Sequence, residues 1–245
     1  MNPISRLKKI TADVLFALGP EKSNVAVFYR DKFIASKAKK IKPDSKVLDV
    51  GAGTAPYRKL FKHCTYKTHD FGKYRGQNKG PLPENWQYDE IDIRSDINHI
   101  PVKAKSFDVI ICTEVLEHVP EPIKAIKEMS RILKTGGLLL LTAPLASGLH
   151  QEPYHFYGGF TPHFYRYFLP KYNLVIKKIT PTGGLFKHVG QEIHRVGYSL
   201  RQQHRSNIFM HFLLTHLLPN YLWQFDTNQN IPEFTMDYLI EPVKK

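Results

Sequence analysis

Val47-Leu48-Asp49-Val50-Gly51-Ala52-Gly53-Thr54 reads as a short apolar strand that turns at once through two glycines toward a helix at 56–63. Glycine and alanine leave the backbone bare at such a turn, so its N–H groups are open to a ligand that approaches the main chain closely. Taken alone this is a common strand-to-helix connection. Its weight comes from what stands at matching places farther along the chain.

Outward from the turn, strand and helix signals alternate. Strands are expected at 66–70, weakly at 88–93, strongly at 107–113 and, fully buried, at 138–142. A loop rich in Gly, Pro and Lys is expected at 72–87. Pro122 sits in the first turn of a helix reaching about Leu133, where a missing N–H is tolerated, and Lys134-Thr135-Gly136-Gly137 closes it with glycine at a left-handed position. A short helix from Thr161, a sixth strand at 174–180, a largely helical stretch at 185–222 and an alternating strand at 234–241 follow. On the N-terminal side, helices at 3–18 and 24–40, the second with Ser23 available as cap, precede a break at Pro43-Asp44-Ser45. This alternation predicts an α/β fold, a mostly parallel sheet covered by helices. One domain is expected, with 1–43 as an N-terminal helical cap, 44–182 as a ligand-binding core, 183–230 as a helical insertion and 231–245 as the last strand.

Composition narrows the class further. The two cysteines, Cys64 and Cys112, match no zinc spacing and form no disulfide framework, which favours a reducing cytoplasm. The basic start holds Asp13 too early for a secretory leader, and the most apolar run, 208–223, is too short and too polar to cross a bilayer. Charge is uneven: of the overall +13, residues 1–80 carry 18 Lys/Arg against 6 Asp/Glu, or +12. Such an excess is either a solvated face or an attraction for an anionic small molecule, a nucleic acid or an acidic membrane surface.

Asp70, with Phe71 beside it, falls 19 residues after Gly51 at the C-terminal end of the second strand, where a carboxylate accepts both hydroxyls of a ribose. Asp96-Ile97, ahead of Ile100-Pro101, offers a carboxylate to an adenine amine and an apolar side chain to its face. A nicotinamide-dependent oxidoreductase would need Gly-x-Gly-x-x-Gly, but Pro56 stands at the third glycine and no Tyr-x-x-x-Lys follows in context.

Three segments in order carry a family resemblance: Val47 to Gly53, Ser106-Phe107-Asp108-Val109-Ile110-Ile111-Cys112-Thr113-Glu114-Val115-Leu116-Glu117-His118-Val119, and Glu128-Met129-Ser130-Arg131-Ile132-Leu133-Lys134-Thr135-Gly136-Gly137 before an apolar strand. Over about 45–145 the chain resembles the class I S-adenosylmethionine-dependent methyltransferases, type 11 branch. The resemblance implies a Rossmann-like, seven-stranded sheet, six strands parallel and the seventh antiparallel, with helices on both faces. It implies S-adenosylmethionine as cofactor, held by Asp49, Gly51, Ala52 and Gly53 around the methionine part and ribose. Asp70 and Phe71 would serve the ribose, Asp96 and Ile97 the adenine, and Thr113 and Glu114 the strand end beside the sulfonium. The family's third glycine is replaced here by Ala55, followed by Pro56-Tyr57.

The acceptor side is expected on loops at the C-terminal ends of the fourth and fifth strands. In His150-Gln151-Glu152-Pro153-Tyr154-His155-Phe156-Tyr157, either His150 or His155 is a candidate general base, and the aromatics either wall a pocket or cover the sheet end. Glu114-x-x-Glu117-His118 places two carboxylates and an imidazole on one face of a turn, a spacing that resembles metal-binding segments of small-RNA 2′-O-methyltransferases and ubiquinone O-methyltransferases; it would hold Mg²⁺, with a later histidine such as His150 completing the site, or only pack a helix start. The insertion, with His188, His194, His204, His211 and His216 among apolar residues, is either a helix pair packed on the sheet or a lid or interfacial helix for a lipid-linked acceptor. The expected reaction is methyl transfer to an oxygen of a small, sugar- or lipid-linked, anionic molecule. The alternatives are an RNA methyltransferase and a non-catalytic cofactor-binding scaffold.

Overall fold

The structure is a computed structural model that describes residues 25–76, 87–226 and 234–245. The helix expected at 3–18, its neighbour's cap and most of the loop at 77–86 lie outside the described residues. The chain divides into two compact units. One comprises Arg30–Thr182 with Met236–Lys245, and the other the described residues of Met1–Tyr29 and Gly183–Thr235.

The first unit is built on β1 (Lys46–Val50), β2 (Thr65–Asp70), β3 (Ile93–Arg94), β4 (Phe107–Thr113), β5 (Leu133–Pro144), β6 (Leu174–Pro181) and β7 (Asp237–Lys244). They form one sheet in the order β3-β2-β1-β4-β5-β7-β6. β1 to β5 pair in parallel, and β7 runs antiparallel between β5 and β6.

Period two along each strand explains why both faces are covered. Leu48, Val50, Ile110, Cys112, Leu139 and Leu141 point to one side, against Ala125, Ile126, Met129 and Ile132 of α2 (Pro122–Ile132) and Tyr165 of α3 (Pro162–Phe168). Val47, Val109, Ile111 and Leu140 point to the other, against Phe33, Ile34 and Ala38 near the end of α1 (Val25–Ala38). The sheet reverses between β1 and β4, which opens a crevice at the C-terminal strand ends there.

Three expectations shift. The helix at 56–63 is only a 3₁₀ turn, Arg58–Phe61, because no side chain caps it and the chain must reverse by Thr65 into β2. The strand at 88–93 shrinks to Ile93–Arg94. Before it, the Asp92 carboxylate accepts from the Thr68 N–H and hydroxyl, 2.8 Å each, so a side chain replaces the ladder bond. The last strand lies at Asp237–Lys244, later than 234–241, paired so that Val243 faces Val175 and Ile240 faces Ile179.

The second unit contains α4 (Leu185–Gln202), α5 (Ile208–Phe212), a π-helical turn at Leu213–Leu217 and α6 (Leu218–Trp223). Gly197 lets helices cross closely: a Cβ there would stand 2.8 Å from both Leu214 Cβ and Thr215 Cγ2. Ile208 and Phe209 are 77% and 65% exposed, so α5 presents apolar side chains outward. Among the described residues no helix is long and apolar enough to cross a membrane.

Candidate functional site

A cleft of about 770 Å³ opens at the C-terminal ends of β1, β2 and β4, within the range of small-molecule sites. It gathers Asp49, Gly51 and Ala52, Asp70 and Phe71, Asp96 and Ile97, and Thr113 and Glu114 from four successive strand ends. Gly53 is not in the lining, although its N–H, 3.0 Å from Asp70 Oδ2, ties the first turn to the second.

Gly51 takes φ +71°, and the N–H groups of Gly51 and Ala52 both donate to His69 O, at 2.8 and 3.0 Å. A Cβ on Gly51 would stand 2.4 Å from Val115 Cγ2, so the turn closes only without a side chain. Ala55, where the family has glycine, also takes a left-handed φ of +47°.

Asp49 is almost fully buried and accepts a hydrogen bond from the Tyr66 hydroxyl. Burial pushes its carboxyl up to about 7, against the opposing effect of Tyr66. Asp70 is buried too. Burial raises its carboxyl, while the N–H groups of Gly72, at 2.8 Å, and Gly53 favour the charged form. Asp96 is exposed and accepts from Asn98 N at 2.8 Å, while Ile97 is buried beside it.

After β4 the chain turns sharply. Glu114 adopts φ +53°, its N–H donates to Thr142 O at 3.1 Å, and its Oε1 accepts from Thr142 Oγ1 at 2.5 Å. Burial raises the Glu114 carboxyl, opposed by the Arg30 guanidinium and by Thr142. Glu117, 1% exposed, is raised well above the usual range, first by burial and then by Glu114. Glu114 therefore does not join His118 as the spacing implied, whereas Glu117 Oε1 stays 3.7 Å from His118 Nε2. Glu114 is engaged with Thr142, and Glu117 is buried outside the cleft lining.

His118 does line the cleft, and burial lowers it to about 4. It also stands with His150 and His155, whose ring centroids are 4.8 and 5.7 Å away. Neither of those two lines the cleft. The loop contributes Gln151, Tyr154 and Phe156, with the Tyr154 ring edge-on to Phe71 at 4.8 Å.

Several lining residues carried no sequence signal. Arg30 enters from α1, where burial opposes its charge but Tyr57, Glu114 and Asp31 more than restore it, so its pKa is raised. Tyr57, whose hydroxyl donates to Asp31 Oδ1 at 3.0 Å, and Tyr74 and Tyr88 add an aromatic wall. The aromatic after Pro56 was the one visible hint of it.

A family model described as a methyltransferase domain matches residues 23–239. The chain belongs to this methyltransferase family. The ubiquinone biosynthesis O-methyltransferase of Haemophilus ducreyi is 31% identical to this methyltransferase domain over 106 residues, 40% of this chain and 44% of that protein. The chain spans less than half the length of the curated relatives it matches. Among solved structures, the [4+2]-cyclase SpnF aligns with a TM-score of 0.55 at 13% identity, over 88% of this chain and 80% of that one. A phosphoethanolamine N-methyltransferase of Haemonchus contortus, bound to phosphomonomethylethanolamine and S-adenosylhomocysteine, aligns with a TM-score of 0.51 at 14% identity, over 88% and 52%. At such identities the likeness is one of fold, and a cyclase within it shows that this fold alone does not set the reaction.

Proposed function

We propose that this chain is an S-adenosylmethionine-dependent methyltransferase acting on an oxygen of a small, sugar- or lipid-linked acceptor. The observation that carries the reading is Asp70, a buried carboxylate at the end of β2, clamped by the N–H groups of Gly53 and Gly72 and lining the cleft. A carboxylate so placed accepts two ribose hydroxyls. The side-chain-free approach at Gly51, the paired Asp96 and Ile97 and the buried carboxyl of Asp49 support the same ligand. When bound, S-adenosylmethionine supplies a methyl group on a sulfonium that departs as a neutral thioether. The protein's part is alignment: the acceptor oxygen must lie in line with the breaking C–S bond, and Tyr57, Tyr154 and Phe156 line the cleft against which it would be held. The O-methyltransferase name of the relative supports an oxygen acceptor.

Calorimetric titration with S-adenosylmethionine, S-adenosylhomocysteine and NADH tests the reading. The sulfur nucleotides are expected to bind saturably, NADH not, and Asp70→Asn to weaken binding at least tenfold, about 1.4 kcal/mol. Folded protein that binds neither sulfur nucleotide, or binds them equally well without the Asp70 carboxylate, overturns it.

A further inference from the structure

We propose that His118, His150 and His155 form a binding site for a divalent transition-metal ion beside the cleft, which His118 alone of the three lines. Each histidine offers one ring nitrogen, and these nitrogens lie within 4.8 Å of one another. The rings converge from two segments, His118 from the turn after β4 and the other two from the loop after β5, with the His150 and His155 centroids 4.5 Å apart.

Two of the rings are already oriented as metal ligands are. His118 Nδ1 lies 2.7 Å from Tyr154 O, and His150 Nδ1 lies 2.9 Å from Gly148 O. A carbonyl only accepts, so both Nδ1 atoms carry the proton and both Nε2 atoms keep a free lone pair. A backbone carbonyl holding the far ring nitrogen is the usual outer support of a ligating histidine. His155 Nδ1 is buried without a hydrogen-bond partner, and so is Glu117 Oε2 beside the cluster. An orphaned buried polar atom is costly, so two at one place mark something the protein atoms alone do not satisfy. Glu117 Oε1 lies 3.7 Å from His118 Nε2, too far for a hydrogen bond but near enough to balance the charge of an ion.

Ligand chemistry selects the metal. Imidazole nitrogens suit zinc, cobalt, nickel or iron, whereas magnesium demands oxygen donors in octahedral array. The Mg²⁺ expected from the Glu114-Glu117-His118 spacing is therefore replaced by a softer ion on a different ligand set. Metal–nitrogen bonds of about 2.0–2.1 Å put ligand nitrogens about 3.3 Å apart, so the rings close by roughly 1.5 Å on loading. Three histidines leave a fourth position open, as in catalytic rather than structural sites. A ligating imidazole has no lone pair left for a proton, which removes the general-base role expected of His150 and His155.

The experiment is titration of chelator-treated full-length protein with Zn²⁺, Co²⁺ and Mg²⁺, without any nucleotide, so that its outcome is independent of the methyltransferase reading. One equivalent of Zn²⁺ or Co²⁺ is expected to bind, with the absorption bands of nitrogen-ligated cobalt, and Mg²⁺ is not. His118→Ala, His150→Ala and His155→Ala should each lower Zn²⁺ affinity at least 100-fold, and His163→Ala, on the exposed side of α3, should not. Circular dichroism confirms that each variant is folded, and His150→Ala, on the partly exposed loop, keeps the test open where His118→Ala fails to fold. Absence of stoichiometric binding to the wild type, or binding that survives His150→Ala unchanged, overturns the proposal.

Discussion

Gly51→Ala is expected to destabilise the protein by about 2–5 kcal/mol and to abolish nucleotide binding. Two costs combine. At φ +71° an alanine pays about 1–2 kcal/mol for the left-handed conformation, and a Cβ at 2.4 Å from Val115 Cγ2 and 2.9 Å from Cγ1 adds an overpacking cost of about 1–3 kcal/mol. The backbone does not swing away freely, because the N–H groups on both sides of the Cα are bonded to His69 O. Val115→Ala separates the two costs. It removes both γ carbons and leaves only the Cβ contact at 3.3 Å, so the double variant should recover about 1–2 kcal/mol in a mutant cycle, the conformational part remaining. Urea unfolding of the four proteins measures this. A single-variant loss below about 1 kcal/mol, or a coupling near zero, would show that the turn is not held as described.

What was readable in the sequence follows from how each feature is encoded. β1, β4 and β5 were found because strands buried on both faces need continuous apolar runs, and Val47 to Val50, Val109 to Cys112 and Leu138 to Leu141 supply them. β3 was misplaced because its neighbourhood is held by the Asp92 side chain, a bond no periodicity reports. Asp70, Asp96 and Thr113 were legible as residues of the cleft since a strand end fixes both position and direction. Arg30 was not: it lies 19 residues before Asp49 on a helix, and which helix face meets the cleft depends on packing against Val47 and Ile111 that only the fold supplies. The Glu114-Glu117-His118 spacing misled for a local reason. It assumed one shared face of a turn, but Glu114 has φ +53° and the helical turn begins only at Leu116, so Glu114 bonds Thr142 while Glu117 stays beside His118.

Asp49→Asn is expected to stabilise the free protein above pH 7 by up to about 4 kcal/mol while weakening nucleotide binding at least tenfold. The folded-state carboxyl titrates at about 7, raised by burial, against about 3.9 in an unfolded chain. Below about pH 4 both states hold the proton and Asp49 costs nothing. Between about 4 and 7 the unfolded chain ionises while the folded one stays protonated, so the folded state binds more protons and wild-type stability falls as pH rises. Above 7 the penalty is complete, roughly 3 pH units at 1.36 kcal/mol each as an upper bound. Asparagine carries no such charge and still accepts from the Tyr66 hydroxyl. Denaturant unfolding at pH 5, 6, 7 and 8 should therefore show a gain that grows with pH and levels off above 7; a gain independent of pH would mean that Asp49 is not the titrating group. The same linkage predicts its use. A cation entering the cleft favours the ionised carboxylate, so binding of a sulfonium nucleotide near pH 6.5 should release a fraction of a proton from the wild type and none from Asp49→Asn. A buried carboxylate that destabilises the empty protein at working pH is then retained because the ligand's positive charge offsets its desolvation.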